Sequence, residues 1–97
     1  MGNIAIDQLH NRIVGQLDPY VRSRIKMRIV EISDALVVTV DGDNCISSVS
    51  VWSNGCCDAE YLYVATEQGE SSHYEFEDME SASQTVLREI NLAVERA

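Results

Sequence analysis

Hydrophobic residues recur every three or four positions near both ends of the chain, which is the spacing of one face of an α-helix. The first helix is predicted over residues 3–17, with Asn3 as its N-cap, and the second over residues 79–96, with Asp78 as its N-cap. The apolar stripes contain Ile6, Leu9, Ile13 and Leu17 in the first helix and Met79, Ala82, Val86, Ile90 and Ala93 in the second. Each stripe predicts a helix that packs against a core on one side only.

The segment between the helices has the alternation and the β-branched content of strands separated by short turns. Strands are predicted over residues 35–40, 46–52, 57–65 and 72–77, with turns at residues 41–44, 53–55 and 67–70. Turns this short join antiparallel neighbours, because a parallel connection needs a crossover of about a dozen residues. The expected fold is a single α+β domain over residues 1–97. It is an antiparallel β-meander of four to five strands, with an N-terminal and a C-terminal helix packed on one face.

Residues 20–32 fit two structures. Their apolar residues alternate with four basic ones, Arg22, Arg24, Lys26 and Arg28. This alternation is typical of a strand, yet the apolar residues also recur at helical spacing, and Asp18-Pro19 suits an N-cap and a first helical position. We favour a short turn of helix followed by a strand from about residue 24 to residue 32. The basic face could bind phosphate or acidic groups, but the preferred interpretation is an edge strand kept soluble by its charges.

The loop at residues 53–55 decides which side chains face the core. With a two-residue turn at Asn54-Gly55, valines would share a face with Asp58 and Glu60, which is costly if that face is buried. A three-residue loop with a left-handed Gly55 instead separates apolar from polar side chains, and we predict this register. It turns Val49, Val51, Cys57, Ala59, Tyr61 and Tyr63 inward and leaves Ser48, Ser50, Trp52, Asp58 and Glu60 on the other face.

Acidic residues dominate the charge of the chain and are unevenly distributed. The net charge is −9, the segment from Ile29 to Leu87 has no Lys or Arg, and five of the seven basic residues lie between Arg12 and Arg28. Nucleic-acid binding needs a broad basic surface, and an anionic membrane would repel this one, so neither is expected as a partner. A positively charged protein would be attracted, although an acidic surface also serves solubility alone.

Neither a metal site nor a catalytic site is predicted. Cys56 and Cys57 are adjacent, without the spacing of a zinc module, and no glycine-rich phosphate loop occurs. We therefore expect no metal, no cofactor and no enzymatic activity. The three cysteines are expected to be reduced, and the absence of a secretory signal pattern predicts a cytoplasmic protein.

Trp52 has two interpretations that the sequence leaves open. It is either a packing residue at the edge of the sheet or an anchor for a protein partner, since exposed aromatic residues are typical of interface centres. In the predicted register, one sheet face contains all the candidate partner-binding residues, which are Trp52, Asp58, Glu60, His73, Glu75 and Glu77.

The stretch VSVWSNGCCDAEYLYV, the later SHYEFED and the terminal amphipathic helix resemble the small bacterial immunity proteins of the TriTu type. The likeness covers roughly residues 46–94 and is carried by Val51, Trp52, Gly55, Cys57 and Asp58 and by His73 to Phe76. The resemblance implies a cytosolic antidote that binds the toxic domain of an Rhs-type effector, which type VI secretion delivers between competing bacteria. The toxin implied is a NAD-dependent ADP-ribosyltransferase that modifies elongation factor Tu. Because an NAD site must hold a pyrophosphate, such a toxin would carry positive charge that carboxylates could cover.

Two other functions remain as hypotheses. A small acidic secretion chaperone would use a similar domain to hold a basic or apolar client. An enzyme would need Cys56 or Cys57 to act with a histidine. A toxin gene immediately upstream would favour an immunity protein, whereas genes for a secretion apparatus would favour a chaperone.

Overall fold

Helices flank a five-stranded antiparallel sheet in the computed structural model, which describes residues 3–97. The elements are α1 (Ile6–Gln16), α2 (Pro19–Ser23), β1 (Lys26–Val30), β2 (Ala35–Asp41), β3 (Cys45–Trp52), β4 (Cys56–Tyr63), β5 (Gln68–Glu75) and α3 (Met79–Arg96). Strands that follow one another in the chain are neighbours in the sheet, so the sheet is a meander in the order β1-β2-β3-β4-β5. The predicted α+β fold is confirmed, with five strands.

The core lies between one face of the sheet and the helices α1 and α3. It contains alternate residues of the three central strands together with the apolar stripes of both helices. Its fully buried members include Leu9, Ile13, Leu36, Val38, Val40, Val49, Val51, Cys57, Val86 and Ile90.

Within residues 3–97, none of the helices is both long and apolar enough to cross a membrane.

The N-terminal helix begins later than the sequence predicts. Its N-cap is Ala5, without a side-chain hydrogen bond, so the expected cap at Asn3 is wrong. Ile4 instead lies in the core, 1% exposed, and its backbone N–H donates to the carbonyl of Ser53 at 2.7 Å. Burying an isoleucine contributes about 1.5–3 kcal/mol, whereas an N-cap contributes about 1 kcal/mol. Packing against the β3–β4 loop therefore outweighs capping.

Residues 20–32 form both of the structures that the sequence allowed. Asp18 caps α2, since its Oδ1 accepts a hydrogen bond from the N–H of Tyr20 at 2.8 Å, and Pro19 occupies the first turn. The strand that follows, β1, is shorter than predicted. It ends at Val30 because a 3₁₀ turn over Glu31–Ser33 and a left-handed Asp34, with φ of 48°, redirect the chain into β2.

The last strand is displaced toward the N-terminus from its predicted position. β5 spans Gln68–Glu75 rather than residues 72–77, and the preceding turn lies at residues 64–67. Glu67 adopts a left-handed φ of 57° and closes the turn at the residue where the turn was expected to begin. Phe76 continues to bond the β3–β4 loop through its N–H to the carbonyl of Gly55 at 2.8 Å, but Glu77 lies outside the sheet.

The predicted β3–β4 register is confirmed. Val51 pairs with Cys57, Ser50 with Asp58 and Ser48 with Glu60, which leaves Ser53, Asn54 and Gly55 as the loop. Gly55 has φ of 93° and donates its N–H to the carbonyl of Trp52 at 3.0 Å. A positive φ at this position is what lets an odd-numbered loop keep valines and carboxylates on opposite faces.

We expect Gly55→Ala to destabilise the fold and Gly15→Ala to stabilise it. A Cβ at Gly55 would occupy the left-handed region, which costs about 1–2 kcal/mol. Gly15 lies in α1 with open space where a Cβ would be built, so alanine there should gain about 0.5–1 kcal/mol from helix propensity. Urea unfolding of the two variants measures both changes. An unchanged midpoint for Gly55→Ala would show that the loop does not depend on its left-handed residue.

Candidate functional site

The helices leave one face of the sheet uncovered, and we call it the outer face. Alternation along the strands assigns its members, and the antiparallel pairings align them across the sheet. The central part of the outer face consists of Lys26 and Arg28 on β1, Val37 and Thr39 on β2, Ser48, Ser50 and Trp52 on β3, Asp58 and Glu60 on β4, and Ser71, His73 and Glu75 on β5.

Five of the six predicted partner-binding residues lie on the outer face. Asp58 pairs with His73 across β4 and β5, and Glu60 pairs with Ser71. Glu75 lies on the same face, two residues beyond His73 on β5. The sixth, Glu77, does not belong to this face, because β5 ends at Glu75 and Glu77 is an exposed residue of the connection to α3.

Trp52 is half-buried at the end of the outer face. Its cross-strand neighbour Ala35 is 2% exposed although it lies on the open side of the sheet. At this end of the outer face Ala35 is shielded from solvent, while part of the neighbouring Trp52 side chain remains exposed. The exposed remainder of the side chain lies on the same face as the carboxylates, so packing and partner contact are compatible roles for one residue.

A histidine and two carboxylates form the polar centre of the outer face. His73 Nδ1 lies 2.6 Å from Asp58 Oδ1, and its Nε2 lies 3.7 Å from Glu75 Oε2. The hydrogen bond to Asp58 is the main cause that raises the pKa of His73 above its usual value of 6.5. All three side chains are about half exposed or more, so the cluster remains accessible to a partner.

A shallow depression with an exposed apolar pair borders this polar centre. Ile46 and Leu62 pair across β3 and β4 and are 43% and 47% exposed, respectively. They line a shallow depression of about 460 Å³ together with Thr39, Asp41, Ser48, Glu60, Gly69, Glu70 and Ser71. The sequence analysis did not include Ile46 and Leu62 in the site. The sequence does indicate their position, because alternation along the strands places Ile46 on the same face as Ser48 and Leu62 on the same face as Glu60.

The cysteines lack the environment of a reactive thiol. Cys57 is fully buried, and burial raises the pKa of its thiol to about 12, which keeps it protonated at neutral pH. Cys56 is half-buried on the outer face, where the two ring nitrogens of His73 lie beside the carboxylates of Asp58 and Glu75. Within residues 3–97 no group of three or more potential ligands could hold a metal ion.

A buried carboxylate ties α3 to the sheet on the opposite face. Glu89 is 5% exposed and accepts hydrogen bonds from the hydroxyls of Tyr61 at 2.5 Å and Tyr74 at 2.6 Å. This residue was missed by the sequence analysis. The one feature of the sequence that indicates its burial is its position on the apolar stripe of α3, between Val86 and Ala93. A carboxylate at such a position needs hydrogen-bond donors, which inward-facing tyrosines of the sheet can supply.

One comparison with known proteins gives a match. A family model described as "Immunity protein TriTu" matches residues 18–90. The match begins at the cap of α2, covers all five strands and ends within α3, so it includes the whole outer face and most of the chain. No curated protein and no solved structure gives a significant match.

We expect Asp58→Asn to lower the pKa of His73 toward 6.5. The wild-type pKa is raised because the Asp58 carboxylate favours the protonated ring. The attraction is therefore complete below the unfolded pKa of histidine and is lost as the pH rises through the raised, folded value. Titration of the His73 ring protons by NMR measures the shift in both proteins. Equal values in wild type and variant would show that the contact does not persist in solution.

Proposed function

Because the chain belongs to the TriTu family of immunity proteins, we propose that it neutralises an Rhs-type toxin that type VI secretion delivers between competing bacteria. Membership of this family gives a protective role, a toxin as the cognate partner, and no enzymatic activity. The proposal goes further on the identity of that toxin. It is an ADP-ribosyltransferase that modifies elongation factor Tu, and the immunity protein acts by covering its active site.

The observation that supports active-site occlusion is the placement of Trp52, Asp58, Glu60 and Glu75 on the face that the helices leave uncovered. An enzyme that uses NAD must hold a pyrophosphate, and protein sites for such anions are rich in Arg, Lys and backbone N–H donors. Carboxylates on the outer face would pair with those donors and exclude the dinucleotide. Neutralisation of this kind needs no chemical step, only a stable one-to-one complex.

The division of roles on the outer face follows from general interface energetics. Trp52 supplies apolar contact area beside the β3–β4 loop, and tryptophan is one of the residue types that most often dominate binding energy. The carboxylates of β4 and β5 are about half exposed or more, so they mainly accelerate association with a positively charged toxin and select its orientation. The apolar pair of Ile46 and Leu62 offers a second contact area, bordered by the carboxylates of Asp41 and Glu60.

The proposal includes a cytoplasmic location, since elongation factor Tu acts in that compartment. A secretion chaperone would also present an acidic face to a basic client. Assignment to an immunity-protein family favours neutralisation over chaperoning. A toxin gene immediately upstream of this one would support the same conclusion independently of the structure.

We expect Trp52→Ala combined with Glu60→Lys to weaken toxin binding by about a hundredfold or more, because it removes an aromatic anchor and reverses a charge that faces the toxin. The partner is a catalytically inactive form of the cognate toxin domain, and calorimetry gives the dissociation constant. Glu95→Lys on α3 is the control, since it changes an exposed glutamate by the same charge away from the outer face. If the double variant is folded and still protects toxin-expressing cells fully, the outer face is not the binding surface.

The class of toxin has a separate test. We expect the active toxin domain to transfer label from NAD to purified elongation factor Tu, and a stoichiometric amount of the immunity protein to abolish the transfer. The reason is that a site covered by the outer face cannot admit the dinucleotide. Toxin activity that needs no NAD would refute this part of the proposal while leaving the protective role intact.

A further inference from the structure

Two cations share the outer face with the acids. Lys26 pairs with Thr39 and Arg28 with Val37, so both belong to the outer face, whereas Met27 between them packs against the core. Both are exposed, and within residues 3–97 neither forms an ion pair. Arg88 and Arg96 differ, because each lies beside a carboxylate and over a tyrosine ring on the helical side.

The pairings arrange these charges in two parallel rows across the sheet. One row runs Lys26, Thr39, Ser48, Glu60, and the other runs Arg28, Val37, Ser50, Asp58. Each row therefore begins with a cation on β1, crosses two uncharged residues, and ends with a carboxylate on β4. Both rows thus have the same polarity, with the cations on the β1 edge, and Asp41 on β2 is a further outer-face acid near Lys26.

The two charged regions are too far apart to neutralise each other. Strands are spaced by about 4.8 Å, so β1 and β4 are separated by about 14 Å. The Debye length at physiological ionic strength is about 8 Å, and charges exposed beyond that distance are largely screened. A partner that covers the whole face therefore meets a positive strip and a negative one as distinct features.

We propose that Lys26 and Arg28 form a second contact strip of the toxin-binding face. The strip contacts an acidic surface on the toxin while the carboxylates of β4 and β5 contact its basic active site. This inference rests on the proposed function and adds the chemistry of the partner, which must be basic where it meets β4 and acidic about 14 Å away where it meets β1. Like charges in the reversed orientation would repel, so the strip fixes how the toxin docks.

The alternative role of these cations is to keep the edge strand β1 from pairing with other chains. The two roles predict opposite effects of charge reversal on toxin binding. Lys26→Glu with Arg28→Glu makes a protein of net charge −9 more acidic by four units, which by itself would attract a basic toxin more strongly. Only direct contact between the strip and an acidic surface makes the same variant bind more weakly.

The test compares this variant with Arg12→Glu combined with Arg22→Glu. The control changes the net charge equally, but Arg12 lies on α1 and Arg22 on α2, both exposed and outside the sheet. Binding to the same catalytically inactive toxin domain is measured at two salt concentrations. We expect the strip variant to bind at least about tenfold more weakly at low salt and less so at high salt, while the control binds as well as wild type or better.

Unfolding midpoints establish that each variant is folded, and Lys26→Gln with Arg28→Gln replaces the reversal if that variant is not. Weaker binding by the strip variant alone supports the second strip. Unchanged or tighter binding by that variant, together with weaker binding by the Trp52 and Glu60 variant, overturns the second strip and leaves the proposed function standing. If wild type itself does not bind the toxin, the proposed function fails and the strip with it.

Discussion

The register between β3 and β4 is the constraint on which the rest of the molecule depends. Side chains alternate along a strand, so a shift of one residue between the two strands would place Asp58 and Glu60 on the same face as Val49 and Val51. The three-residue loop with a left-handed Gly55 selects the observed pairing. Carbonyl groups of the same loop also accept hydrogen bonds from the backbone N–H groups of Ile4 and Phe76. The loop therefore holds both the segment before α1 and the residue that follows β5. One turn therefore coordinates elements that are far apart in the chain.

Packing on the other side of the sheet explains why the outer face is free. Both α1 and α3 are used to cover the valine-rich face, and α3 is also held there by Glu89, which joins Tyr61 on β4 to Tyr74 on β5. Removing one partner from such a buried polar cluster leaves another unsatisfied, at a cost of about 1–3 kcal/mol. The cluster thus favours one position of α3 along the sheet. With that position occupied, no described helix covers the outer face.

The structure could be predicted from the sequence wherever a single physical rule determined it. Alternation assigns the faces of the central strands, and the separation of apolar from charged side chains selects the register at Gly55. The structure could not be predicted wherever a contact between residues far apart in the chain determined it. Ile4 joins the core because its backbone N–H donates a hydrogen bond to the carbonyl of Ser53. The first half of β5 is a strand because β4 pairs with it, although residues 67–70 were predicted to form a turn. Glu89 was missed because a carboxylate on an apolar stripe gains its partners only from the tertiary fold.

The separation of the two faces has a consequence for how binding specificity can change. Residues in the middle of the outer face, such as Thr39, Ser48 and Ser50, are small and contribute nothing to the helical core, so substitutions there should cost little stability. The charged residues at the two ends of each row are exposed or half-exposed, so we expect exchange of their signs to cost little stability as well. Specificity then depends on repulsion of wrong partners as much as on attraction of the right one. A sheet that carries its core on one face and its charges on the other can therefore follow a changing toxin surface while keeping the same fold.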